Sequence, residues 1–184
     1  MNKKEVYDGF RILGGMLLLV LATALCVTWM ASNSLAAKQA QLTSWEPCAF
    51  LRSHDGDTFW CKKSDNKVIK VRLPSVDTPE LAQEPLGQQA KQALDSLMTE
   101  GPLEVYCPGQ KSYERLVCSA RVKDEDVGTS LLSLGLACLD ERYKKQDISR
   151  AEHVEALEMA KTEKIGMWGA QNPVCGYDFR RKAK

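Results

Sequence analysis

Histidine is scarce. His54 and His153 are the only two in 184 residues, too few for a histidine-rich catalytic centre. None of the seven cysteines forms a CxxC pair, which argues against a zinc site. A glycine-rich phosphate loop is absent, and so are internal repeats and low-complexity stretches, so phosphate-cradling loops and repeat folds are excluded. Net charge is lacking too. The chain carries 25 basic and 24 acidic residues, a formal charge of +1. A broadly basic surface for a polyanion is therefore excluded, and any anion site has to be local.

Charge is also missing from one long run, residues 12–31, which is preceded by Lys3, Lys4 and Arg11. At about 1.5 Å per residue such a run crosses a bilayer core of about 30 Å. Its length favours a retained anchor with residues 1–11 in the cytoplasm, because the apolar core of a signal peptide usually has about 7–15 residues. The alternative is a cleaved signal, for which Ser34-Leu35-Ala36 offers a small-x-small site. Residues 32–44 read as a linker, 45–169 as one domain and 170–184 as a tail ending in the basic run Arg180 to Lys184, expected to be frayed and solvated.

Cys26 lies in the apolar run, and Cys48, Cys61, Cys107, Cys118, Cys138 and Cys175 follow it. An even number beyond the run fits disulfides in an oxidising compartment, with free buried thiols as the alternative. Cys107 and Cys118 flank a turn between two expected strands, and Cys48 and Cys61 flank another, which leaves Cys138 for Cys175.

The stretch from His54 to Glu80, HDGDTFWCKKSDNKVIKVRLPSVDTPE, holds two acidic clusters, Asp55/Asp57 and Asp77/Glu80. Between them Ile69, Val71 and Leu73 alternate with Lys70 and Arg72, the period of a strand with one apolar face. Asp55-Gly56 reads as a turn and Thr78-Pro79 as a strand stop. Clustered carboxylates suit a hard cation, and an arginine beside them suits a phosphodiester. The run lacks the further ligands of an EF-hand.

Strands are expected at 48–53, 58–62, 67–73, 103–107 and 114–122, and a helix at 88–99 with Ala90, Leu94, Leu97 and Met98 on one stripe. Asp126 is placed to cap a second helix carrying Leu131, Leu132 and Leu134. Ser149-Arg-Ala-Glu152 fits a capping box opening a third, with Val154, Leu157 and Ala160 inside. These elements fit an α+β domain, mainly a small β barrel with three helices.

DGDT at 55–58, RLPSVDTPE at 72–80 and YERL at 113–116 together resemble the staphylococcal nuclease (thermonuclease) family, from about Cys48 to Trp168. The resemblance implies an OB-like five-stranded barrel and an endonuclease hydrolysing DNA and RNA to 3′-phosphate ends with one calcium ion. It implies that Asp57, Asp77 and the Thr78 carbonyl hold the metal with Asp55 beside them. It gives Glu80 the attacking water and Arg72 and Arg115 the scissile phosphate. It matches Tyr113 and Tyr143 to nucleotide contacts, and gives His54 no role. The expected setting is a monomer held in a bacterial inner membrane through residues 12–31, with the domain facing the periplasm or exterior; the alternative is secretion after cleavage near Ala36. The chain departs from the family at Glu114, where a glycine is usual, at Glu141, where a second tyrosine is usual, and in a short Leu81–Leu86 loop. These departures bear on substrate grip, and they keep a binding module that does not cut as the alternative function.

Overall fold

The computed structural model describes residues 44–182, and the apolar run 12–31 lies outside them. Among the described residues no helix is long and apolar enough to cross a membrane.

Three strands open the domain as an antiparallel meander: β1 (Glu46–Ser53), β2 (Thr58–Lys63) and β3 (Val68–Arg72). The alternation expected of β3 is met, since Ile69, Val71 and Leu73 are buried in the core. A short β4 (Val76–Asp77) follows, then α1 (Leu86–Thr99), which buries Ala90, Leu94 and Met98. Next come β5 (Leu103–Tyr106), β6 (Lys111–Ser112), β7 (Arg115–Val117), β8 (Ser119–Val122) and β9 (Glu125–Asp126). The rest is α2 (Val127–Ser133), β10 (Cys138–Leu139), a 3₁₀ turn (Glu141–Tyr143), α3 (Arg150–Thr162), a second 3₁₀ turn (Gly166–Gly169) and α4 (Gly176–Lys182).

The strands pair in the order β6-β7-β3-β2-β1-β5-β8-β9, with β4 and β10 forming a separate pair. The expected OB-like five-stranded barrel with three helices is met in part. The domain is α+β with a mixed sheet and four helices, and no pairing among the described residues joins the outer strands β6 and β9. The strand expected at 114–122 divides at Cys118. Before it, β7 runs parallel to β3, and after it, β8 runs antiparallel to β5. Cys118 is fixed at the break, bridged to Cys107 and donating its N–H to the Arg72 carbonyl at 3.1 Å.

Three disulfides tie the domain, Cys48–Cys61, Cys107–Cys118 and Cys138–Cys175, with sequence separations of 13, 11 and 37. They are the three pairs read from the strands. Loops of this size stabilise by about 3 kcal/mol each in the chain-entropy account. Three such bridges fit an oxidising, extracytoplasmic compartment.

Asp126 caps α2 as expected, its Oδ1 accepting the Thr129 N–H at 2.8 Å. Leu131 and Leu132 are buried, but Leu134 is exposed, and on α3 Val154 is exposed while Ala156 joins Leu157 and Ala160 inside. The capping box at Ser149 does not form. Ser149 flanks α3 without a side-chain cap, and its Oγ donates instead to Asp126 Oδ2 at 3.1 Å.

The buried His153 joins the same cluster. Its Nε2 is 2.8 Å from Asp126 Oδ1 and its Nδ1 3.0 Å from Asp147 Oδ2. Only the imidazolium donates to both carboxylates. Burial opposes that charge, but the two aspartates outweigh it and raise the group from 6.5 to about 9. Arg150 also reaches Asp147, at 3.9 Å. Because the folded state holds this proton more tightly, the contribution is complete below pH 6.5 and is lost as pH rises through 9. Urea unfolding is expected to show stability falling by about 2–3 kcal/mol across that window. His153→Gln is expected to remove that dependence, and a flat profile in the parent would show a neutral imidazole.

Candidate active site

The site is assembled where the β1–β2 turn meets the end of β3 and the loop after β4. Asp57 donates its N–H to Asp55 Oδ1 at 3.1 Å, closing the turn. Gly56 permits the close approach: a Cβ there would lie 2.7 Å from both Ala90 Cβ and Thr78 Oγ1. The Thr78 N–H then donates to Asp57 Oδ2 at 3.3 Å. Asp57, Asp77 and Thr78 are all buried.

Arg72, on the last residue of β3, is 3% exposed. Its Nη1 lies 2.6 Å from Asp57 Oδ2, and its Nη2 lies 3.8 Å from Asp77 Oδ1 and 3.5 Å from Asp140 Oδ2. Burial opposes the charge on Arg72, and Asp57, Asp77 and Asp140 together raise its proton affinity. Nη1 pairs with Asp57 by charge but makes no aligned hydrogen bond.

Arg115 arrives on β7. Its Nη1 donates to Thr58 Oγ1 at 3.3 Å and its Nη2 to Ser112 Oγ at 3.2 Å, and Ser112 Oγ shares a hydrogen bond with the Tyr143 hydroxyl at 2.6 Å. Tyr143 also faces Arg72, whose guanidinium carbon is 5.6 Å from the ring centroid. Glu80 is fixed through its backbone, the N–H donating to Gln83 Oε1 at 2.7 Å.

A cavity of about 790 Å³ is lined by Asp55, Asp57, Arg72, Glu80, Tyr113, Arg115 and Tyr143. The structure thus gathers the sequence-nominated side chains on one side of the sheet, with Asp77 and Thr78 beneath. Burial and the neighbouring Asp57 push the Asp55 carboxyl up to about 7. Tyr113 stands at the rim, 92% exposed. The left-handed backbone of this turn falls on Tyr113, φ 58°, and not on Glu114. Glu114 therefore carries no left-handed strain, although a glycine is usual at its position. His54 borders the cavity and packs edge-on against Trp60.

Four residues escaped the sequence reading. Asp140 is buried between Arg72 and Arg142, whose Nε and Nη2 hold its two oxygens at 2.8 and 2.6 Å. These cations outweigh burial and keep its carboxyl below the usual range. Arg142 in turn lies over the Tyr177 ring, 4.9 Å from its centroid. Arg180 donates to Asp77 Oδ1 at 2.7 Å and pairs with Glu80. Residues 180–182 of the run expected to be frayed thus form the end of helix α4, which is seated on the site. The reason is covalent: Cys138 lies opposite Asp77 in the β10–β4 pair, and its bridge holds Cys175 beside that strand.

The family model described as staphylococcal nuclease homologue matches residues 70–170, more than half of the chain. An uncharacterized endonuclease of Haemophilus influenzae is 29% identical over 137 residues, covering 74% of this chain and 74% of its own length. A probable endonuclease LCL3 of Phaeosphaeria nodorum is 31% identical over 116 residues, 57% of this chain and 39% of its own. A staphylococcal-like nuclease CAN1 of Arabidopsis thaliana is 26% identical over 118 residues, 64% of this chain and 35% of its own. The chain therefore spans about three quarters of the bacterial relative and well under half of the other two. On the strength of the family match, the chain belongs to the staphylococcal nuclease family and is an endonuclease of that family, a phosphodiester hydrolase.

Proposed function

We propose that the protein is a calcium-dependent endonuclease that cleaves DNA and RNA outside the cytoplasm and leaves 3′-phosphate ends. The observation that carries this reading is the meeting of Arg72 and Arg115, each held by its own network, on one cavity with Asp57 and Glu80.

The donor set fits a hard cation. Asp57, Asp77 and the Thr78 carbonyl offer oxygen only. Among the described residues no group of three or more His, Cys, Asp or Glu forms a ready metal cage. Two carboxylates and a backbone carbonyl completed by water are still an acceptable calcium set. Bound there, calcium would neutralise charge developing on the phosphate oxygens.

The remaining chemistry belongs to the chain. Arg72, paired with Asp57 at the wall of the cavity, donates to a phosphate oxygen. Arg115 donates from the β7 side, oriented by Thr58 and Ser112. Glu80 orients a water in line with the scissile bond and accepts its proton. Tyr143 offers a ring face to a base, and the exposed Tyr113 a second face at the rim. We read the curved sheet, whose flanks meet at Cys118, as a form of the OB-like barrel, the protein as a monomer, and residues 12–31 as an inner-membrane anchor or a signal cleaved near Ala36.

Incubating the full chain with single-stranded DNA, and separately with RNA, is expected to give cleavage with calcium and none with a chelator. Binding without cleavage under both conditions would favour the non-cutting binding module instead.

A further inference from the structure

The helix α4 covers the oxygens assigned above to the cation. Both oxygens of Asp77 are taken: Oδ1 by Arg180 Nη2 at 2.7 Å and Oδ2 by the Tyr177 N–H at 2.6 Å. Arg180 Nη1 holds Glu80 Oε1. Gly176 lies so close over the Thr78 carbonyl that a Cβ would sit 2.3 Å from its oxygen. Of the cation's proposed ligands, Asp77 is bonded to this segment and the Thr78 carbonyl is covered by it, while Asp57 makes no hydrogen bond or ion pair with it. It answers to Arg72, Thr58 and Thr78 instead.

The charges are matched in the same way. Arg72 answers Asp57, Arg142 answers Asp140, and Arg180 answers Asp77 and Glu80. A divalent cation on Asp77 and a guanidinium on Asp77 would place like charges against each other in a buried setting, which is strongly unfavourable. The Thr78 carbonyl cannot turn to a cation while Gly176 lies on it.

We propose that the segment Cys175–Lys182 is a built-in competitor for the divalent cation, with the Arg180 guanidinium occupying the cation's place at Asp77, and holding Glu80, until the cation displaces it. The inference rests on the cation reading given above. The Cys138–Cys175 bridge keeps the competitor at high effective concentration, since it fixes the segment one residue from Gly176 and directly opposite Asp77. The displaced state frees Glu80 for water and opens the cavity wall that Tyr177, Arg180 and Arg181 now form. In the seated state the Glu80 carboxylate is held by Arg180 and is not free to take a hydrogen bond from water. The apparent affinity for the cation is accordingly reduced by the fraction of time the segment is seated.

The test uses the full chain, calcium as the probe, and two readouts other than activity: calorimetric calcium affinity, and hydrogen exchange of the peptide covering residues 176–182. In the parent without calcium, the amides of Tyr177 and Phe179, bonded to Asp77 and to the Cys175 carbonyl, are expected to be protected. Saturating calcium is expected to speed their exchange by about tenfold or more. In Arg180→Gln, exchange is expected to be fast with or without calcium, and calcium to bind about tenfold more tightly. Arg180→Lys, which keeps the charge without the fork, is expected to fall between. Calcium that binds while the segment stays protected, or an affinity that is unchanged or weaker in Arg180→Gln, would overturn the competitor and leave the cation reading standing. Calcium that binds neither protein would sink the cation reading and this inference with it.

Discussion

Arg115→Lys is expected to lower the rate of phosphodiester cleavage by about 10²–10³-fold, the usual effect of losing one preorganised donor to a developing oxyanion. The fold is expected to be nearly unaffected. Arg115 is half-buried at the cavity wall, and its partners are neutral: Thr58 Oγ1, Ser112 Oγ and the Ser112 carbonyl. Substitutions at such positions usually stay within about 0.5 kcal/mol. Lysine keeps the charge but presents it as a single point, so it cannot donate to Thr58 and Ser112 while also making paired bonds to a phosphate. The Ser112–Tyr143 hydrogen bond at 2.6 Å does not involve Arg115, so the ring meant to face the base stays in place. Single-turnover cleavage of DNA with saturating calcium, beside a thermal melt, checks both halves. A rate near the parent's would show that Arg115 is only a surface charge.

The parts of this site that were legible in the sequence are those whose signals are local. The apolar alternation at Ile69, Val71 and Leu73 fixes which face of β3 is buried, and that leaves Arg72 on the side of Asp57. The DGD turn is fixed by Asp55 and by the room that only Gly56 leaves. Cysteine pairing followed from the strands, because Tyr106 lies opposite Ser119 and so brings Cys107 beside Cys118.

What was missed depends on partners far along the chain. Arg180 meets Asp77 103 residues away, and nothing in the basic run Arg180-Arg-Lys-Ala-Lys announces a buried carboxylate. The usable signal was Cys175, five residues earlier, since a bridge to Cys138 would bring that run back to the sheet. Asp140 carries no signal of its own. It becomes a site residue because β10 pairs with β4 and because its N–H donates to the Ser75 carbonyl at 2.8 Å. Strands of two residues, such as β4, β6 and β9, are too short for a period to show, so five strands were expected where ten segments form. The capping box failed for a different reason: Ser149 has a stronger use, donating to the carboxylate that also holds His153.

Arg72→Leu is expected to unfold the domain more readily by about 3–5 kcal/mol at pH 7, the range for removing one partner of a buried ion pair. Arg72 is 3% exposed and is the cation nearest Asp57, at 2.6 Å. Asp140 keeps Arg142, and Asp77 keeps Arg180 and the Tyr177 N–H. Asp57 keeps only the Thr58 hydroxyl and the Thr78 N–H, at 2.9 and 3.3 Å. Two neutral donors do not offset a buried carboxylate charge. Arg72→Lys separates the two roles. It restores most of the stability by keeping a cation beside Asp57. It leaves turnover lowered by about 10²–10³-fold, because the fork that reaches Asp57 and a phosphate oxygen together is gone. Urea unfolding of all three proteins at pH 7, beside cleavage rates at the same pH, reads both effects. A loss below about 1 kcal/mol in Arg72→Leu would show that Asp57 is solvated despite its burial.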